Sequence, residues 1–273
     1  MSVAIGIDAG GTKLAAGLVD VSTGDVVRRR VAQTDRARGA DAILSDCLEL
    51  ATTVAGDDTP DGICIAVPEL VTPAGEIRTC ESWDWRGWDL GERFAQFGAV
   101  RVESDVRAAA LGEALLGAGA SFASFVYLTI GTGVSYTFVI DGKPWTGERG
   151  NAITVGAPLV ELVASGPQLA RRGGRTRAEE VLRDTPDDPI VDEVARTLAG
   201  ELARLINALD PAAAIIGGGL GLAPAFAQRL TDHTRPLIYA QDTRQLPIVS
   251  AGLGKDAGIV GAALAVARES GNA

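Results

Sequence analysis

The chain has 273 residues, 47% apolar and 22% charged. That composition supplies a buried core for one or two domains and is not that of a disordered chain. With 35 acidic against 25 basic residues the net charge is −10. This argues against nucleic acid or an anionic membrane as partner, and leaves a local pocket for a small anion open.

The three cysteines, Cys47, Cys64 and Cys80, follow no metal-binding spacing, and a reduced, cytoplasmic protein is the simplest reading. The single histidine, His233, lies in a polar stretch. It reads as a surface residue, and a serine–histidine pair or a histidine-rich metal site is not expected. Apolar runs are short and broken by glycine, so no membrane span is expected.

Residues 3–8, 14–20 and 25–33 read as strands joined by tight turns, and 39–55 as a helix with Ile43, Leu44, Cys47, Leu48 and Ala51 on one face. Residues 62–68 form a buried strand. A long loop, 72–90, carries Trp83, Trp85 and Trp88. A short helix over 91–97 and a strand over 99–103 follow. Ser104-Asp105 then precedes an alanine-rich helix over 106–116, stopped by Gly117 and Gly119. A hairpin spans 125–141, and 142–157 is irregular. Helices are expected over 158–171, 177–183 and 189–208. A strand over 212–216 runs into Gly217-Gly218-Gly219, then a helix over 223–234, a strand over 247–251 and a closing helix over 256–269. The β-β-β-α-β-α order, seen twice in outline, predicts an α/β protein of two lobes with mixed sheets.

Two glycine turns sit in matching places. Asp8-Ala9-Gly10-Gly11-Thr12-Lys13 separates the first two strands, and Gly131-Thr132-Gly133 divides the central hairpin. Neither is a Walker A loop or a dinucleotide fingerprint, because the first turn leads into a strand. A ring of backbone N–H groups with a threonine hydroxyl suits phosphate oxygens, and Asp8 at a strand end suits Mg²⁺ held through water. A plain Gly-Gly hairpin turn is the alternative. Gly217-Gly218-Gly219 reads either as a close approach to adenine or ribose or as a simple strand-to-helix turn. Asp105 reads either as a helix N-cap or as a general base toward a substrate hydroxyl.

Together these pieces resemble the ROK family of sugar kinases, within the actin/hexokinase-like ATPase superfamily. The resemblance rests on Asp8 to Lys13, Ala66-Val67-Pro68, Ser104-Asp105 with Ala108 to Glu113, and Leu128 to Gly133. It continues through Asp210-Pro211, Ile215 to Gly219 and Gly261-Ala262-Ala263. It implies two ribonuclease-H-like lobes around an interlobe ATP cleft, with residues 1–104 plus 257–273 in one lobe and 105–256 in the other. It also implies ATP and Mg²⁺ as cofactors, a homodimer, and Asp105 as catalytic base. The nucleotide residues would be Asp8, Gly10, Gly11, Thr12, Lys13, Gly131, Thr132, Gly133, Gly217, Gly218 and Gly219.

The sugar-reading positions depart from the family. Ser104 stands where the family has Asn, Arg107 replaces the next Asn, and Pro68-Glu69 replaces Pro-Gly. Thr154 and Ala157 occupy the places of the sugar-binding Glu and the sugar- and zinc-binding His, and the cysteine-rich zinc loop is missing, so no zinc is expected. Pro68, Glu69, Ser104, Asp105, Thr154 and Glu161 remain the candidate acceptor ligands. The tryptophans either stack on a sugar ring or anchor their loop. The resemblance implies an ATP:sugar phosphotransferase for an amino sugar, a modified hexose or a cyclitol. An ordinary glucokinase with a rebuilt pocket and a non-catalytic sugar or nucleotide sensor are the alternatives. The acidity of the chain, which as read opens in its first strand, argues against a DNA-binding repressor.

Overall fold

The computed structural model describes residues 2–153 and 158–269, apart from the side chains of residues 158, 159 and 269. Thr154 and Ala157, expected near the acceptor, lie outside the described residues. Strands are β1 (Val3–Ala9), β2 (Lys13–Asp20), β3 (Val26–Gln33), β4 (Gly62–Val67), β5 (Ala99–Ser104), β6 (Ser124–Ile130), β7 (Val134–Ile140), β8 (Lys143–Pro144), β9 (Ala213–Gly217) and β10 (Ile248–Ser250). Helices are α1 (Ala40–Ala55), α2 (Leu90–Phe94), α3 (Asp105–Leu116), α4 (Pro158–Ala164), α5 (Gly166–Arg172), α6 (Ala178–Asp184), α7 (Pro189–Leu209), α8 (Gly218–Gly221), α9 (Pro224–Thr234) and α10 (Ala257–Glu269).

Two five-stranded mixed sheets have the orders β3-β2-β1-β4-β5 and β10-β9-β6-β7-β8. In the first, β1 pairs antiparallel with β2 and parallel with β4. In the second, β6 stands in the place of β1, antiparallel to β7 and parallel to β9. The half-repeat of the sequence is thus a repeat of sheet topology. Mixed parallel sheets of this kind need cover on both faces.

The chain divides into two compact units. The first comprises Met1–Leu116, Thr146–Ala152 and Asp256–Ala273; the second comprises Gly117–Trp145 and Ile153–Lys255. In the first unit, alternation along β1 sends Ile5 and Ile7 into a core with Ile43, Leu44, Cys47 and Val54 of α1. Gly6 points the other way, toward α10. A Cβ there would lie 1.9 Å from the Ile259 carbonyl oxygen, so glycine lets helix and strand touch. The helix that begins at Asp105 packs on α10 within this unit.

The second unit builds its core on α7, whose Val191, Val194, Leu198, Leu202 and Ile206 recur every three or four residues and are buried with Val126, Leu128 and Ile216 of the sheet. Each such side chain contributes about 1.5–3 kcal/mol relative to exposure.

One helix departs from expectation. Residues 158–171 form two helices, α4 and α5, broken at Ser165, whose backbone is extended at φ −88° and ψ 165°. Gly166 N donates to Gly131 O at 2.8 Å, and a Cβ on Gly166 would lie 2.7 Å from that oxygen. The Ser165-Gly166-Pro167 run is the physical reason. Pro lacks the N–H an unbroken helix needs and suits the first turn of a new one.

The tryptophan loop is held inward. Trp83 and Trp85 are buried in the first unit's core with ring centroids 5.2 Å apart, and Trp85 Nε1 donates to Ala40 O at 3.0 Å. These two indoles anchor the loop, whereas Trp145 is 51% exposed.

Candidate functional site

Three neighbouring parallel strands of the first unit end at one place. Register pairs Asp8 of β1 with Ala66 of β4, and Val67 of β4 with Ser104 of β5. Asp8, Pro68-Glu69 and Ser104-Asp105 therefore leave the sheet side by side at the carboxyl ends of their strands. In open α/β sheets this edge is the usual place for ligands.

Asp105 is the first residue of α3 and partly exposed. Its Oδ1 accepts from Val106 N at 2.6 Å, and no partner of its Oδ2 occurs among the described residues. The carboxylate thus steadies the helix start with one oxygen and keeps the other available. Burial raises its pKa to about 7, and the negative charges of Asp8 and Glu69 add to this; the Val106 N–H and Arg107 pull the other way. Asp8 is also raised, by burial first, with Lys13 and Arg29 opposing. The negative charge of Asp8 thus adds to the burial that raises Asp105.

Ser104 is fully buried and its Oγ has no hydrogen-bond partner among the described residues. A buried hydroxyl without a partner is costly and calls for a ligand or water to complete it.

Arg107 and Glu69, the two charged departures from the family pattern, are both engaged inside the first unit. Arg107 is 1% exposed. Its Nε donates to Glu103 Oε1 at 2.7 Å, Nη1 to Gly150 O at 2.8 Å and Nη2 to Val71 O at 2.6 Å. The same Glu103 carboxylate accepts from Ser104 N at 2.8 Å and from Arg101 Nη2 at 3.0 Å. Arg107 therefore fastens the segment Thr146–Ala152 beside the helix that carries Asp105. Gly150 makes this possible. It sits at φ +82°, and a Cβ would lie 2.1 Å from Val71 O. Glu69, 3% exposed, accepts from Thr79 Oγ1 at 2.5 Å, Glu81 N at 3.0 Å and Ser82 N at 2.8 Å. It pins the start of the tryptophan loop. Pro68 is half-buried beside it.

The turn Gly10-Gly11-Thr12 closes with Gly10 N donating to Lys13 O at 3.0 Å. Thr34 Oγ1 donates to Gly10 O at 2.7 Å, and Arg36 Nε to Gly11 O at 2.9 Å. Neither glycine has positive φ, so their value is clearance rather than backbone freedom. The space a Gly11 side chain would take is filled by the Arg36 guanidinium, whose Nη2 lies 1.9 Å from a built Cβ.

In the second unit, Gly131 N donates to Gly133 O at 2.9 Å across the turn that contains Thr132. Glu161 of α4 braces this turn. Its Oε1 accepts from Val134 N at 2.8 Å and lies 2.8 Å from a Cβ built on Gly133. Gly217 ends β9, Gly218 turns the chain at φ +77°, and Gly219 lies in the single helical turn α8. Beside it is a cavity of about 250 Å³, lined by Leu182, Val191, Ala223, Pro224 and Phe226 with Arg229 among its polar groups. Glu179 also lines it and reaches within 3.5 Å of a Cβ built on Gly219. The glycines stand out in the sequence and the cavity does not, although the Ala223-Pro224-Ala225-Phe226 run that follows them lines it.

No group of three or more His, Cys, Asp or Glu side chains placed to hold a metal occurs among the described residues. None of their helices is long and apolar enough to cross a membrane.

Two mixed sheets of the same order, each with a glycine turn after its first strand, define the fold of the actin-like ATPase kinases. The sequence pattern of the ROK family matches residues 4–269, and the chain belongs to that family. It is similar to the bifunctional enzyme NanE/NanK of Brucella melitensis, at 32% identity over 96% of this chain, and spans 53% of that relative's length. It is also similar to the glucokinase of Streptomyces coelicolor, at 31% identity over 96% of this chain and 97% of the relative. Among solved structures, a ROK family glucokinase from Streptomyces griseus, in complex with glucose and AMPPNP, superposes with a TM-score of 0.88. That match is 24% identical and covers 98% of this chain and 100% of the other, a likeness of fold.

Proposed function

We propose that this chain is an ATP-dependent kinase that phosphorylates a hydroxyl of an uncharged sugar or cyclitol, with Asp105 as the base. The observation that carries the reading is Asp105 itself. It is a partly exposed carboxylate at the end of β5, with a pKa raised to about 7 and one oxygen uncommitted, adjoining the unpartnered Ser104 hydroxyl. A base near neutral pKa is suited to take a hydroxyl proton at physiological pH. The relatives' names, glucokinase foremost, support sugar as the acceptor class.

The neutral character of the acceptor follows from Arg107 and Glu69. Both charges are consumed by bonds within the protein, which leaves Asp105 as the partly exposed group of this set offered to a ligand. A glucose, an N-acetylated amino sugar or a cyclitol fits this set better than an acidic or phosphorylated sugar.

In the proposed mechanism Asp105 accepts the acceptor's proton as the oxygen attacks the terminal phosphoryl group of ATP and the bond to ADP breaks. In the first unit the turn Gly10–Lys13 would donate to phosphate oxygens; in the second unit Glu161 braces the candidate phosphate turn Gly131–Gly133, and the cavity beside Gly219 is the candidate seat of the adenosine. The half-buried carboxylate of Asp8 is a hard oxygen ligand, close to Lys13 and Asp105 in charge interaction, and fits Mg²⁺ held through water. When bound, the ion would neutralise charge on the phosphates.

The test is ADP release from Mg-ATP with glucose, mannose, N-acetylmannosamine and myo-inositol, with Asp105→Ala as control. Absence of acceptor-dependent turnover across a wider panel would sink the kinase reading. Full activity in Asp105→Ala would sink the base assignment alone.

A further inference from the structure

Arg36 is an exposed arginine that follows β3, and it is committed through only one of its five N–H groups. Its Nε donates to Gly11 O at 2.9 Å, and its guanidinium occupies the place where a Gly11 side chain would otherwise stand. Three of the four neighbouring arginines are used differently, while Arg30, like Arg36, bonds a backbone carbonyl, that of Arg29. Arg28 pairs with Asp58, Arg29 with Asp256 at 2.7 Å, and Arg38 with Asp46 at 2.7 Å. Arg36 has no carboxylate within 4.0 Å among the described residues, in a chain with ten more acidic than basic side chains. Its neighbour Asp35 turns to Ala37 N instead.

We propose that Arg36 is a phosphate-contacting residue of the nucleotide site. The proposal rests on the reading of Gly10–Lys13 as a phosphate-binding turn and extends it to a side chain from a different strand connection. The Nε bond to Gly11 O fixes the guanidinium plane at the turn and leaves the four N–H groups of Nη1 and Nη2 for phosphate oxygens. A planar guanidinium offers two parallel donors to one phosphate, which a lysine ammonium does not. During transfer it stabilises charge on the phosphoryl oxygens; the proton still passes from the acceptor hydroxyl to Asp105, and ADP leaves. Gly11 has a second use in this arrangement, since any side chain there would push the guanidinium off the turn.

The experiment measures binding of ATP, AMP and inorganic tripolyphosphate to the full chain by calorimetry, for wild type, Arg36→Ala and Arg36→Lys, with thermal melts as folding controls. Arg36→Ala is expected to weaken ATP and tripolyphosphate about 10- to 100-fold, the loss of one or two charge-assisted bonds, and to leave AMP within about twofold. Arg36→Lys is expected to recover only part of the loss. Unchanged ATP affinity in a folded Arg36→Ala, or an equal loss for ATP and AMP, overturns the proposal while leaving the kinase reading standing. A wild type that binds neither ATP nor tripolyphosphate overturns both. A wild type that binds them but phosphorylates no sugar fails the kinase reading only, and the Arg36 comparison still decides.

Discussion

Asp105→Asn is expected to make the protein more stable and nearly inactive. The wild-type carboxyl has its pKa raised from 3.8 to about 7, chiefly by burial. Between those two values the folded protein holds a proton that the unfolded chain has released, so folding stability falls as pH rises through that window. Three pKa units at about 1.4 kcal/mol each set an upper bound of roughly 4 kcal/mol, reached at and above pH 7. Asparagine keeps an oxygen for Val106 N and carries no charge, so it escapes the cost. Urea unfolding at pH 8 should show Asp105→Asn about 2–4 kcal/mol more stable than wild type, and the gap should close as pH approaches 4. In the same pH range the wild-type kcat/KM should rise with pH and level off above about 7, as the base loses its proton. The variant should lose roughly 10²- to 10⁴-fold in rate, the usual contribution of a positioned base. A stability gap that does not change with pH, or a variant less stable than wild type at pH 8, would refute the reasoning.

The buried Glu103–Arg107 pair should behave as a unit. Arg107→Met alone should cost about 3–5 kcal/mol by denaturant unfolding, because it leaves Glu103 buried without its main partner. Glu103→Gln combined with Arg107→Met should regain much of that stability, while amide exchange across 146–152 stays fast because Gly150 O and Val71 O have lost their donor. Gly150→Ala should destabilise by about 2 kcal/mol or more through its left-handed backbone and the collision with Val71 O, measurable as a lowered melting temperature. Glu161→Ala should speed exchange at the Val134 amide and raise the KM for ATP several-fold, with little change in global stability since Glu161 is exposed.

Much of the fold is written locally. The alternation in β1, the three-to-four spacing in α1 and α7, and the glycines at the two turns each depend on neighbours a few residues away. The register that sets Asp8, Pro68 and Ser104 side by side follows once three apolar strands are read as parallel neighbours. What stayed hidden is long-range. Nothing near Arg107 in sequence tells that its guanidinium will be met by carbonyls 36 and 43 residues away. Glu69 gave the same difficulty, because its partners come from a loop whose path depends on where Trp83 and Trp85 bury. Glu69 reads as a candidate acceptor ligand and Arg107 as a new charge of open role; in the structure both are bonded within the protein. Gly11 was legible as a glycine of a phosphate turn, but the arginine that fills its missing side chain lies beyond a whole strand. The break at Ser165 did have a local signal in Gly166-Pro167, which the apolar spacing on either side outweighed.

The first unit is closed by a helix made after the second unit's residues. Backbones of α10 and β1 touch at Gly6, and α10 also lies against α3, where a Cβ on Gly261 would sit 1.7 Å from Ala108 O. During synthesis, residues 1–116 therefore emerge with that face of their sheet uncovered and wait while some 140 further residues are translated. At about 5–20 residues per second the wait lasts roughly 7–28 seconds, long enough for an exposed apolar face to recruit a chaperone or a wrong partner. Fusions or truncations near residue 260 should for this reason impair yield of soluble protein more than changes of similar size in the surface loops of either unit.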